Sequence, residues 1–272
     1  VRTPTTRVEE ERSGGAGIWA IPVLVIGGGA LLLLARRRRV PEGASTMRGT
    51  STTDRIGSAA GMIRRSLESG PSTPASPFRV GMTITADPTP FILASGATKV
   101  PAPEGVETNP MLTVQEVGRI TSANLVRLRT PDGRGYFQLH LDTNGQPDEC
   151  RWFGVIDEVT PADADEWAVW VDPKEGLIGW PHFETKDGKL YDRVWSPGEA
   201  RVAPRELTEV IEGLQGLRTQ HGLAMLYAAP TGAEAPAPAT EYLLVTAIDA
   251  GGQAWVEIRA GLDINPATLS LA

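Results

Sequence analysis

The chain has 272 residues, with 41% hydrophobic and 22% charged residues, which allows one or two domains and excludes a wholly disordered polypeptide. Its one cysteine, Cys150, excludes an intramolecular disulfide framework. The formal charge of −7 divides unevenly: residues 78–272 carry 15 Lys and Arg against 27 Asp and Glu, so this part repels phosphate backbones and nucleic acid is excluded as its partner.

Residues 1–16 form a short tail in which Arg2, Arg7 and Arg12 are balanced by Glu9, Glu10 and Glu11. Gly17 to Ala35 then runs without a charge. At the helical rise this run spans roughly 28 Å, close to the hydrocarbon thickness of a bilayer, and it predicts a single transmembrane helix. A buried soluble helix is the alternative. Arg36, Arg37, Arg38 and Arg39 follow at once. Moving each across the bilayer costs about 3 kcal/mol, which sets the N-terminus outside and the rest of the chain on the cytoplasmic face of the inner (plasma) membrane. A cleavable signal peptide fits less well, because the basic cluster follows the apolar run. A start at Met47 or Met62 would leave the remainder unanchored and cytoplasmic. Residues 36–77 are basic and rich in Ser, Thr, Gly and Pro, as in a flexible linker. Within them Ile56, Ala60, Ile63 and Leu67 recur at helical spacing beside Arg55, Arg64 and Arg65, as in a transient linker helix or one lying on lipid.

Residues 78–272 are expected to form one strand-rich domain. Leu125 to Arg129 alternates, Pro131-Asp132-Gly133 supplies a turn, and Tyr136 to Asp142 alternates again with Phe137, Leu139 and Leu141 facing inward. Asp187-Gly188 marks a hairpin between Phe183-Glu184 and Leu190-Tyr191. Leu207, Val210, Ile211 and Leu214 form an apolar stripe at helical spacing, entered after Pro204 and left at Gly216. Tyr242 to Ile248 is a continuous apolar run suited to a central strand, and Gly251-Gly252 turns it into Trp255 to Ala260. The fold class expected is α+β: a predominantly antiparallel β domain with one helix in its C-terminal half, preceded by the transmembrane helix.

Chemistry is harder to find. His140, His182 and His221 are widely spaced, and no metal site or cofactor is expected from them. Asp157, Glu158, Asp163, Asp165, Glu166 and Asp172 cluster, but without the calcium-loop pattern, so Asp163 to Glu166 reads as a solvated loop around Pro161. No GxSxG elbow, phosphate loop or GxGxxG is present. Five of the seven tryptophans fall between Trp152 and Trp195. Core packing accounts for them; the sharper reading is a protein-binding groove lined by Trp180, Tyr191 and Trp195. The competing reading is an enzyme with a carboxylate site at Asp157 and Glu158 near Trp180, joined by Arg193.

Trp152 to Val159, Gly176 to Pro181, Thr185 to Lys189, Tyr191 to Trp195 and Glu241 to Val245 resemble, in this order, the YjfK-like family of bacterial domains of unknown function. The resemblance covers residues 78 to the C-terminus and implies no established catalytic residue. It implies genes beside membrane-stress proteins of the phage-shock-protein-A type, which suits an accessory role at the membrane; the anchor, the missing catalytic motifs and the aromatic-rich segment make that role a non-enzymatic, protein-binding one. The N-terminal anchor departs from that family's pattern.

Overall fold

The computed structural model describes residues 77–271. The apolar run 17–35, the arginines Arg36 to Arg39 and the helical spacing over 55–67 lie outside the described residues. Within them the strands are β1 (Thr83–Thr85), β2 (Met111–Thr113), β3 (Glu116–Ile120), β4 (Leu125–Arg129), β5 (Gly135–Leu141), β6 (Pro147–Val159), β7 (His182–Glu184), β8 (Leu190–Arg193), β9 (Arg205–Gly213), β10 (Gly216–Pro230), β11 (Thr240–Ala250), β12 (Gln253–Ile264) and β13 (Ser270–Leu271).

Strands β11, β12, β6, β5, β4, β3, β9 and β10 pair in that order, and β10 pairs again with β11, so eight antiparallel strands close into a barrel. Strand β10 is long enough to serve three neighbours. One edge carries β11 along His221–Pro230; the other carries β9 along Gly216–Ala224 and then β8 at Tyr227 and Ala228. The β7–β8 hairpin is thereby hung on the outside of the barrel, turning at Asp187-Gly188. A separate three-stranded sheet joins β13, β1 and β2.

Much of the barrel wall is covered on both surfaces, whereas the outer face of β9 is exposed. Inside, Ile120, Tyr136, Phe153, Leu207, Ala224, Leu226 and Leu244 meet from six strands. Outside, Phe78, Phe91, Val106 and Val114 lie against Leu128, Phe137, Leu139, Trp152 and Leu262. On the other flank Ile178, Tyr191 and the helix Ala164–Val171 cover Met225, Tyr227, Val245 and Ile258. An eight-stranded barrel is just wide enough for side chains to fill, and its walls bury both faces once covered. The strand Gly135–Leu141 shows the result: Phe137 and Leu139 face the outer layer, while Tyr136 and Gln138, on the face expected to be solvated, are buried in the barrel.

The α+β expectation is therefore corrected to an antiparallel barrel. Among the described residues the helices longer than one 3₁₀ turn are Thr89–Ala94 and Ala164–Val171, and no helix is long and apolar enough to cross a membrane. The expected helix over Leu207 to Leu214 is strand β9, paired with β3 and β10. Leu207, Glu209 and Ile211 point inward; Val210 is exposed and Leu214 is 85% exposed. The strand alternation was concealed because its middle inward residue is a glutamate. Charged groups enter a core only when paired, so Glu209 read as a solvent position and the stripe 207, 210, 211, 214 took its place.

The loop expected at Asp163 to Glu166 is corrected as well. It is the start of the helix Ala164–Val171, where the Asp163 side chain accepts from the N–H groups of Asp165 and Glu166 and the Glu166 carboxylate accepts from that of Ala162. This arrangement caps the first turn in the manner of a capping box.

Cys150, on β6, is buried beneath the outer layer, and burial pushes its thiol up to about 12. The thiolate is the reactive form. Iodoacetamide at pH 8 is accordingly expected to leave the native chain unlabelled and to label it stoichiometrically in 6 M guanidinium. Mass spectrometry reads both states, and rapid native labelling would contradict this burial.

Candidate functional site

The barrel interior is not apolar throughout. Arg127 and Arg129 lie two apart on β4 and therefore share a face, which the barrel turns inward. Between β4 and β9 runs β3, whose Gly118 stands opposite both Arg127 and Ile211. A Cβ on Gly118 would overlap the carboxylate of Glu209 and come within 2.6 Å of Arg129 Nη1. The missing side chain leaves the gap through which Glu209 reaches both arginines. Arg127 Nη1 donates to Glu209 Oε2 at 2.8 Å, Arg129 Nη1 donates to Oε1 at 2.7 Å, and Arg127 Nε donates to Gln138 Oε1 at 3.0 Å.

Strand β12 adds a second layer of charge. Arg259 Nε donates to Glu257 Oε2 at 2.8 Å and Arg259 Nη1 donates to the carbonyl of Arg134 at 3.1 Å. Trp255 Nε1 donates to the other Glu257 oxygen at 3.1 Å. The guanidiniums of Arg127, Arg129 and Arg259 surround the ring of Tyr136, at 4.7, 5.5 and 4.7 Å from its centroid. At the rim Arg218 Nη1 and Nη2 donate to the two oxygens of Glu116 at 2.6 and 2.7 Å.

Electrostatics follow this geometry. Burial alone would raise the Glu209 carboxyl, but the Arg127 and Arg129 guanidiniums outweigh it and hold the group down at about 2. Glu257 is likewise raised by burial and lowered by more through Arg259. Hydrogen bonds from Arg218 lower Glu116.

These groups wall a polar cavity of about 400 Å³ at the barrel end where β4 turns into β5 and where β3, β10 and β12 begin. Arg127, Arg129, Arg218 and Arg259 line it with Tyr136 and Trp255, as do Glu116, Glu257 and Asp132. Beside it lies a wider, shallower depression lined by Glu158, Asp163, Trp167 and Asp249, with Trp255 and Glu257 common to both. A pocket of this size with convergent charged donors suits a small polar ligand better than an apolar one.

The residues singled out in the sequence lie elsewhere. Trp180 is 40% exposed. Tyr191 is buried, its hydroxyl donating to Glu241 Oε1 at 2.7 Å. Trp195 is half-buried, with the Arg205 guanidinium 4.7 Å from its ring centroid. Asp157 and Glu158, adjacent on β6, point to opposite sides of the strand: Asp157 pairs with Lys186 at 2.7 Å, and Glu158 lines the shallow depression. Arg193 donates to the carbonyls of Gly179, Ser196, Gly198 and Ala200 and so pins a loop. The structure does not bring Asp157, Glu158 and Arg193 together. His140 and His182 pair with Asp148 and Asp192, and among the described residues no three His, Cys, Asp or Glu side chains group as a metal site.

Sequence reasoning passed over Arg127, Arg129, Glu209, Glu116, Arg218 and Arg259. The signal was present in LVRLR and WVEIR, where charges recur every second residue beside an apolar face. That pattern normally marks the wet side of a sheet, and only barrel closure turns it inward.

Comparison with known proteins adds one relation. Residues 68–270 match the model of a family described as a protein of unknown function. No curated protein and no solved structure matches the chain.

Proposed function

The chain belongs to the DUF2491 family, described as proteins of unknown function, and we propose that it is a non-catalytic binding protein whose ligand enters the open end of the barrel. The observation that carries this is the makeup of the cavity wall. Guanidiniums stay protonated at every physiological pH, and the carboxylates between them are paired. Such groups hold and orient a charged ligand; they do not cycle protons. Ligand sites in small barrels commonly lie at the mouth, where the strand ends converge.

The finer name YjfK-like, and the accessory role beside bacterial membrane-stress proteins that it implies, belong to this proposal. So does attachment to the inner membrane through residues 17–35 and Arg36 to Arg39, which rests on the length and lack of charge of that run. Sedimentation of the full chain with carbonate-washed membranes is expected; recovery in the supernatant would remove the attachment and leave the binding barrel.

The binding reading is tested by thermal unfolding of the full chain against a library of anionic, cationic and neutral metabolites. A ligand at 100 times its Kd is expected to add about 2.7 kcal/mol of stability. Gln220→Trp, which puts an indole into the cavity beside Glu209, is expected to abolish the shift. A library without any effect on the wild-type chain would end this reading.

A further inference from the structure

We propose that the cavity takes a small oxyanion, a carboxylate or phosphate group, and that the Glu116 carboxylate is its built-in competitor. This rests on the reading of the open end as a binding site and adds the chemistry of the ligand.

The four arginines are not held alike. Arg127 and Arg129 are fixed from below by the buried Glu209, and Arg259 is fixed by Glu257 and the Arg134 carbonyl. With Arg218, Glu116 and Asp132 included, four guanidiniums face four carboxylates, so the charges balance only while Glu116 keeps its place. Arg218 is different. Its side chain is 52% exposed, and its charged partner is Glu116, itself 24% exposed at the start of β3. Partly exposed ion pairs contribute little to stability and exchange readily. Asp132, the remaining acid on the wall, is engaged in the β4–β5 turn by the Thr130 hydroxyl at 2.7 Å and the Arg134 N–H at 3.1 Å.

The geometry around Glu116 is that of a bound carboxylate. Both of its oxygens accept from the two terminal nitrogens of Arg218, and Oε2 lies 3.9 Å from Arg129 Nε. Planar guanidinium forks recognise carboxylate and phosphate in this two-pronged way. An anion that takes the Arg218 fork displaces Glu116, replaces its charge in the balance of the wall, and lies beside Arg129 as Glu116 does. The rings of Tyr136 and Trp255 on the same wall accommodate a small apolar body attached to it. The acidity of the surrounding domain works against large polyanions, so the ligand is a small one.

The test is calorimetric titration of the full chain with succinate, inorganic phosphate and glycerol 3-phosphate, with glucose and ethylamine as neutral and cationic controls. Sedimentation with phosphatidylglycerol vesicles, against phosphatidylcholine alone, separates a lipid headgroup from a soluble anion as the source. Binding of at least one anion is expected, weakening as salt rises. Glu116→Gln, which removes the competitor and leaves Arg218 free, is expected to tighten binding about fivefold. Arg218→Gln is expected to weaken it about tenfold. Arg218→Lys, which keeps the charge without the fork, serves if the glutamine variant fails to fold, and is expected to weaken binding as well. An unchanged or weaker affinity in a folded Glu116→Gln chain would overturn the competitor. Heat with glucose or ethylamine and none with the anions would overturn the oxyanion while sparing the binding barrel; silence from every probe would overturn both.

Discussion

Replacing Glu209 with alanine is expected to lower the unfolding free energy by about 3–5 kcal/mol, the cost of stripping the partner from buried charge. Glu209 is 2% exposed and accepts from two arginines, of which Arg127 is also buried. The variant leaves two guanidiniums facing each other within a barrel, where water cannot replace the carboxylate in full. Glu209→Gln keeps the shape and some of the hydrogen bonding, so its loss is smaller. The comparison also carries a pH signature. The folded group titrates at about 2, below its ordinary value of 4.5, so its stabilising contribution is fully present above pH 4.5 and is lost as pH falls through 2. Urea unfolding of the wild-type and glutamine chains is therefore expected to differ most above pH 5 and to converge towards pH 2. A gap that stays constant over that range would show that the carboxylate charge is not what holds the arginines.

Trp152→Ala carries the second large effect, about 3–5 kcal/mol, by the arithmetic of emptying a large aromatic site in a packed core. Trp152 sits on the outer wall of β6, with its ring edge-on to Phe91 at 6.2 Å and tilted against Phe137 at 4.8 Å. Its Nε1 donates to the Pro101 carbonyl at 2.7 Å, so the same side chain ties down the segment that wraps the barrel. Removal leaves a hole and an unpaired carbonyl together. Hydrogen exchange is expected to accelerate over residues 78–114 while the β10–β11 hairpin stays protected. A loss below 1 kcal/mol, or acceleration spread evenly over the barrel, would show that the wrap is held independently of this tryptophan.

The sequence was legible where local chemistry decides the structure. Asp187-Gly188 and Gly251-Gly252 turn where turn residues predict, with Gly188, Gly251 and Gly252 at positive φ, and Tyr242 to Ile248 is the strand that its apolar run suggests. It was illegible where a residue's surroundings come from distant strands. Glu209 is acceptable inside because Arg127 and Arg129, some 80 residues away, lie across Gly118 from it. Nothing near Glu209 in the chain announces that pairing, so β9 passed for a helix. Tyr191 depends on a distant strand in the same way. The buried carboxylate of Glu241, 50 residues on, accepts from its hydroxyl, and the ring lies in the core, as the packing reading of the aromatics has it. The open end was hidden for the same reason: strand alternation identifies two faces but not which of them a barrel encloses.

Coverage of β4 on both sides raises the question of what aligns that strand. In an ordinary sheet, sliding one strand by a single residue exposes oil to water and is rejected at once. Here a slipped β4 would still bury all its side chains, so greasiness alone cannot police the alignment. The charges do. Such a slip would drive Arg127 and Arg129 among Leu128's outer neighbours, Phe137 and Leu139, and strand Glu209 without a counter-ion. The ionic lattice at the barrel mouth thus doubles as a lock that accepts one threading of the chain.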